Sequence, residues 1–263
     1  MRIKFALLIA LTTILMICLT GCIFQRKNAP NIQNGTLDLS GNCSFLNDHS
    51  IILQGKWAFY WNKFLLGSDL RNTVPDLYGQ VPNAWNDYTL NGKMLPAAGY
   101  ATYRLHFVSD MPAGTILGLQ VPYFISAYRL YINEKEIARN GIVATNRQNE
   151  VGRFSPKIVY FTTPAKGFDI VVQVSNFSCA YSGFRNAMSL GTVKNIQLKD
   201  EFTYAEIFLT YGIELLIALY ALAMYINNRH LTHCLYLFLM CVFTILTIDS
   251  VDHQILLQGI MKI

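Results

Sequence analysis

The chain has 263 residues, 52% of them hydrophobic and only 14% charged, against about 25% charged in an ordinary soluble domain. Its net charge of +5 contains no Lys/Arg cluster or basic helix, which argues against a nucleic-acid partner. The six cysteines form no C-x-x-C and no Cys/His spacing suited to zinc, so neither a metal site nor a cofactor is expected.

Residues 1–21 have the layout of an export signal. Arg2 and Lys4 make a positive start, and residues 5–19 form an apolar core too short to span a bilayer comfortably. The core ends in Leu19-Thr20-Gly21-Cys22, which resembles the bacterial lipobox. On that reading the signal is of the lipoprotein type, and Cys22 becomes the lipidated N-terminus. The other reading is an ordinary signal or an uncleaved anchor with a chance cysteine. Either one sends the residues after Cys22 to the outside. There an oxidising exterior suits a disulfide between Cys43 and Cys179, although spacing alone does not bring the two together.

Residues 22–50 are rich in Asn, Gly and Ser, as expected of a segment made of a linker and a first strand. From 51 to 200 the pattern is β. Residues 100–107 alternate, with Ala101, Tyr103, Leu105 and Phe107 on one face and Thr102, Arg104 and His106 on the other. Phe168, Ile170, Val172 and Val174 alternate in the same way, and Tyr128, Leu130 and Ile132 share a face. After Ile132, Asn133-Glu134-Lys135 turns the chain into a hairpin. Short alternating strands between Pro/Gly/Asn turns predict an all-β antiparallel sandwich.

The apolar runs at 203–226 and 231–250 are each predicted to be a transmembrane helix. The polar stretch 227–233 between them is expected on the cytoplasmic side, with Arg229 as its fixed positive charge. Residues 251–263 look like the truncated tail of something longer. Glu214 interrupts the first run at a depth where a carboxylate must be protonated or paired. It faces either another helix of this chain or a partner helix that the chain lacks. Cys234 and Cys241, seven apart, share a helix face and are expected to pack.

The signposts of the β region come in a characteristic order. Gly55-Lys56-Trp57-Ala58-Phe59-Tyr60 precedes Val81-Pro82-Asn83-Ala84-Trp85. Gly99-Tyr100-Ala101-Thr102-Tyr103-Arg104-Leu105 comes next, then Ala127-Tyr128-Arg129-Leu130-Tyr131-Ile132-Asn133 and Val172-Gln173-Val174-Ser175-Asn176. This order resembles the galactose-binding-like jelly roll found in β-galactosidase-type glycoside hydrolases. It is closer still to the ectodomain and first helices of bacterial seven-transmembrane receptors with diverse intracellular signalling modules. The chain departs from that family in having two apolar segments, no effector module and Asn133-Glu134 where Asn-Gly is usual. The resemblance implies a jelly-roll domain outside the cell membrane that senses a carbohydrate or other small polar ligand.

Sugars present an apolar face to aromatic rings and hydroxyls to polar side chains. The candidate ligand-binding residues are therefore the loop-like Tyr123, Phe124, Tyr181, Phe184 and Arg185. Trp57 and Trp85 are read instead as core. No paired carboxylates, Ser/His/Asp signature or phosphate loop appears, so catalysis is not expected. Three non-catalytic readings stay open: the input end of a truncated or split receptor, a non-signalling carbohydrate-binding surface lipoprotein, and a degraded gene.

Overall fold

The computed structural model describes residues 32–41, 46, 49–122, 124, 126–153, 156–164, 167–180, 182–184 and 186–260, with side chains as far as 246. The expected signal, Cys22, Cys43, Tyr123, Tyr181, Arg185 and the last three residues lie outside that set. Within it, a β-domain of two mainly antiparallel sheets packed face to face leads into two helices.

The larger sheet has the order β11-β10-β13-β8-β3-β4. Its strands are β3 (Gly55–Trp61), β4 (Leu77–Val81), β8 (Gly99–Val108), β10 (Ala127–Ile132), β11 (Lys135–Asn140) and β13 (Phe168–Asn176). A short β1 (Thr36–Asp38) joins β8 in parallel beyond the reach of β3. The smaller sheet has the order β12-β9-β15-β2, built from β2 (Ile51–Ile52), β9 (Ile116–Val121), β12 (Lys157–Thr162) and β15 (Ser189–Thr192). Two-stranded ribbons, β5 (Asn83–Ala84) with β14 (Gly183–Phe184) and β6 (Thr89–Leu90) with β7 (Lys93–Met94), complete the domain. The sheets remain open and do not close into a barrel.

The alternation read from the sequence sets the core. Tyr103, Leu105 and Phe107 of β8 and Ile170, Val172 and Val174 of β13 point inward against Leu117, Leu119 and Phe161 of the smaller sheet. Trp57 and Trp85 are fully buried, as expected of large aromatic side chains in a sandwich. Gly99 is explained by packing: a Cβ there would lie 2.3 Å from the Trp61 ring. The outer face of the larger sheet is covered as well. Helix α1 (Gly67–Asn72) places Leu70 on Ala58, Tyr60, Tyr131 and Val171. Thr102, expected on the solvent face, is buried there. Its hydroxyl donates to the Lys63 carbonyl at 2.7 Å and accepts from the Leu65 amide at 3.1 Å.

β1 lies within 22–50, where a linker and a first strand are expected, and Leu37 and Leu39 already belong to the core. The first long helix, α2 (Val193–Asn227), starts ten residues before 203 and leaves β15 with no linker. The Thr192 hydroxyl caps it by accepting from the Asn195 amide at 3.3 Å. Helix α3 (Thr232–Ile260) folds back against α2 after a turn in which Leu231 donates to the Asn228 carbonyl at 3.0 Å. Among the described residues α2 is the one helix long and apolar enough to cross a membrane, and 232–246 forms a shorter apolar helix.

Candidate functional site

The strand pairings fix which connections meet at each end of the sandwich. Gly99 at the start of β8 faces Asn176 at the end of β13. Ala127 at the start of β10 faces Ser175, and Tyr128 faces Asn140 at the end of β11. In the smaller sheet, Val121 at the end of β9 faces Lys157 at the start of β12, and Ser189 at the start of β15 faces Gln120. The connections 95–98, 122–126, 141–156 and 177–188 therefore gather at one end. Of the candidate ligand-binding residues, the described ones, Phe124 and Phe184, belong to this end.

The loops there are tied to one another. Asn176 of β13 donates through Nδ2 to the Ala97 carbonyl at 3.0 Å and the Cys179 carbonyl at 2.8 Å, while its Oδ1 accepts from the Cys179 amide at 3.2 Å. Trp85 Nε1 donates to the Pro96 carbonyl at 3.0 Å. Ser175 Oγ accepts from the Ala144 amide at 3.2 Å. Glu150 is buried. Its Oε2 accepts from the Phe177 amide at 3.1 Å and from Ser178 Oγ at 3.3 Å. One carboxylate thus pins the 141–156 connection to the chain leaving β13. Arg147 and Arg153 of that connection are exposed.

Two of the five candidate residues are core. Phe124 is 3% exposed and Phe184 0%. Their rings meet edge to face at 4.8 Å, and Phe184 also contacts Trp57 at 5.3 Å and Tyr103 at 5.5 Å, while Phe124 contacts Tyr128 at 4.8 Å. They plug the sandwich beneath the loops and leave no ring face for a ligand. The reason is local: β14 pairs with β5 and folds the 177–188 connection back over the core. Tyr123, Tyr181 and Arg185 lie outside the described residues. Cys179 is a half-buried free thiol, and the expected partner Cys43 is outside the described residues.

A second polar cluster lies on the outer face of the larger sheet. Arg104 of β8 meets Asp169 of β13 at two points, Nε to Oδ1 at 3.0 Å and Nη2 to Oδ2 at 3.1 Å. His106 Nδ1 lies 2.8 Å from the same Oδ1. Burial pushes the nearby Tyr60 hydroxyl above its ordinary range, against the pull of Arg104. The alternation places all of these on one face. Their convergence needs the strand register, which the sequence alone does not give. This cluster knits β3, β8 and β13 together.

In the helical pair, Thr244 of α3 hydrogen-bonds through its hydroxyl to Oε1 of Glu214 on α2. Glu214 therefore meets a helix of its own chain, one of the two alternatives that the sequence leaves open. Ala218 and Ala221 of α2 and Cys234 and Cys241 of α3 are buried, and such small residues allow the two backbones to approach closely.

No family model and no curated protein matches this sequence. Solved structures do, distantly. The GH2 β-galacturonidase from Eisenbergiella tayi bound to galacturonate aligns at 15% identity and TM-score 0.39, covering 54% of this chain and 24% of that one. The Ruminococcus gnavus β-glucuronidase aligns at 19% identity and TM-score 0.40, over 54% of this chain and 27% of that chain. The β-glucuronidase of an uncultured Clostridium sp. aligns at 19% and 0.41, over 54% and 28%. The chain spans about a quarter of the length of these enzymes.

Proposed function

We propose that this protein is a membrane-held β-sandwich that binds a carbohydrate or similar small polar ligand on the outer side of the cytoplasmic membrane, without catalysis. The observation that carries the membrane part is the join between β15 and α2. A strand hydrogen-bonded on both sides passes directly into a 35-residue helix long and apolar enough to cross a bilayer. The ligand class rests on the galactose-binding-like resemblance, on the stacking and hydrogen-bonding chemistry of the sequence candidates Tyr181 and Arg185, and on the loop end, where Asn149 and Ser178 can offer hydrogen bonds to a sugar.

A second reading makes the same domain the ligand-sensing input of a signalling receptor. The close docking of the first turns of α2 on the smaller sheet favours it, because a docked helix can pass a movement on where a slack tether cannot.

The full chain in lipid nanodiscs, presented to a broad panel of glycans and small polar ligands, tests the proposal. Binding in the micromolar range or weaker is expected from a few stacking contacts of about 1 kcal/mol each. Tyr181→Ala and Arg185→Ala should weaken it. A panel with no binder overturns the ligand reading. Cysteine labelling of intact cells tests the placement: label at position 135 and none at 228 is expected, and the reverse overturns it.

A further inference from the structure

The direction in which α2 leaves the sandwich determines which end of the domain faces the membrane. Gly118 of β9 and Gly191 of β15 are a directly opposed pair, so the outer face of the smaller sheet has a notch with no side chains. Ile196 is fully buried in it, with a Cβ built at Gly118 only 3.1 Å from its Cγ1. Asn195 lies over Gly191 and donates through Nδ2 to the Leu46 carbonyl at 2.9 Å. One turn later, Lys199 Nζ reaches Ser189 Oγ at 2.5 Å. As residue numbers rise from 195 to 199 along the helix, the contacts on β15 fall from Gly191 to Ser189. The first turns of α2 therefore run antiparallel to β15, towards the end where β15 begins and β9 finishes. That is the loop end. The expected transmembrane run starts at 203, only about 6 Å further along the helix axis.

We infer that the loop end of the sandwich lies against the bilayer surface, with the 141–156 connection touching the headgroup layer of anionic phospholipid. The inference rests on the membrane part of the proposed function. The connection carries the matching chemistry. Ile142 and Val151 are paired across a small bridge and hydrogen-bond each other in both directions, at 2.8 and 3.1 Å, yet their side chains are exposed. Arg147 and Arg153 stand exposed on the same connection. The nearby acid, Glu150, is buried and turned to Phe177 and Ser178, so it does not oppose them. Two apolar side chains flanked by arginines suit an interface where acyl chains meet phosphates. The hairpin turn of β10 and β11, with Glu134 and Lys135, lies at the opposite end. Any ligand held at the loop end would then be met at the bilayer surface.

The test uses the full chain in nanodiscs, with a photo-crosslinking residue placed singly at position 142, 151, 135 or 216. Positions 142 and 151 should give lipid adducts, as should 216 on the exposed side of α2, while 135 should give none. With the double reversal Arg147→Glu and Arg153→Glu, adducts at 142 on anionic nanodiscs should fall about tenfold or more, and those at 216 should not change. Adducts at 216 without any at 142 or 151 overturn the inference and leave the membrane reading intact. Loss at 216 as well overturns both. Adducts from 142 to protein alone make the surface an interface between chains and overturn the inference.

Discussion

Arg104 and Asp169 hold neighbouring strands together on the outer face of the larger sheet through one hydrogen bond, Nη2 to Oδ2, and one ion-pair contact, Nε to Oδ1. The side chains are 24% and 16% exposed, so water reaches the pair only partly. Removing one partner leaves a half-buried charge without its counterion. Asp169→Asn should therefore destabilise the fold by about 2–3 kcal/mol, less than a fully buried pair would cost. Arg104→Met, which removes the charge and keeps the aliphatic stem, should cost no more than Arg104→Ala. Chemical denaturation of the full chain in detergent measures both.

Phe184 offers the clearest separation of a core role from a ligand role. Fully buried between Trp57, Tyr103 and Phe124, it should behave as Trp57 does. Phe184→Ala and Trp57→Ala should each cost about 3–5 kcal/mol through the cavity left behind. Tyr181→Ala should shift the thermal midpoint little. A Phe184→Ala protein that keeps its midpoint but loses ligand would return this residue to the binding site.

These two cases mark what the sequence can yield. Where the chain is extended, a period of two decides the facing of each side chain, and the inward sets of β8, β10 and β13 are readable from it. In the connections no period exists. Phe124 after Pro122 and Phe184 after Gly183 carry the composition of exposed turns, yet the ribbon of β5 with β14 folds Phe184 inward and Phe124 packs on Phe184 and Tyr128. The burial of Glu150 is hidden in the same way, since its partners lie in a loop 27 and 28 residues away. The early start of α2 is hidden because residues 193–202 are mixed in polarity. They dock on glycines of another strand, and the register that aligns Gly118 with Gly191 is not visible in either segment alone.

The Gly118–Gly191 notch is open to a direct test. Gly118→Val adds methyls where even a lone Cβ would lie only 3.1 Å from both Ile196 and Tyr160. The first turns of α2 should lift from the sheet. Amide exchange across 193–199 should accelerate, while exchange in β8 and β13 stays slow. Unchanged exchange at 193–199 would mean that the helix is not held there.

The contact between Glu214 and Thr244 sets the pairing of the two helices. Interhelical hydrogen bonds in membranes average about 0.6 kcal/mol and reach about 1.7. Glu214→Gln keeps an acceptor and should retain the hairpin. Glu214→Leu and Thr244→Val should loosen it by that amount, and by the same amount together as singly, because both remove one bond. Distances between labels at 220 and 236 in nanodiscs would show a broadened distribution for the Leu and Val variants only.

The buried tyrosines predict how the sandwich fails in alkali. Burial pushes the Tyr103, Tyr88 and Tyr128 hydroxyls above the ordinary tyrosine value near 10. Tyr88 holds its place by donating to the Gln80 carbonyl at 2.6 Å. A tyrosine whose folded value is raised stays neutral in the native state and ionises more readily in the unfolded one. Its contribution is therefore fully present below the unfolded value of about 10 and is lost as pH climbs beyond it. Stability should be flat with respect to these groups near neutrality and fall steeply above about pH 10. Tyrosinate absorbance should rise in two stages. Exposed residues such as Tyr78 and Tyr160 would titrate first and reversibly, and the buried three together with loss of the β-sheet signal. Tyr128→Phe removes one ionising group and no hydrogen bond, since its hydroxyl is buried without a partner. That variant should unfold at higher pH than the parent. If all tyrosines titrated in one early stage while the sheet signal persisted, water would have to reach the hydroxyls of Tyr103 and Tyr128, and the packed core described for this sandwich would be wrong at its centre.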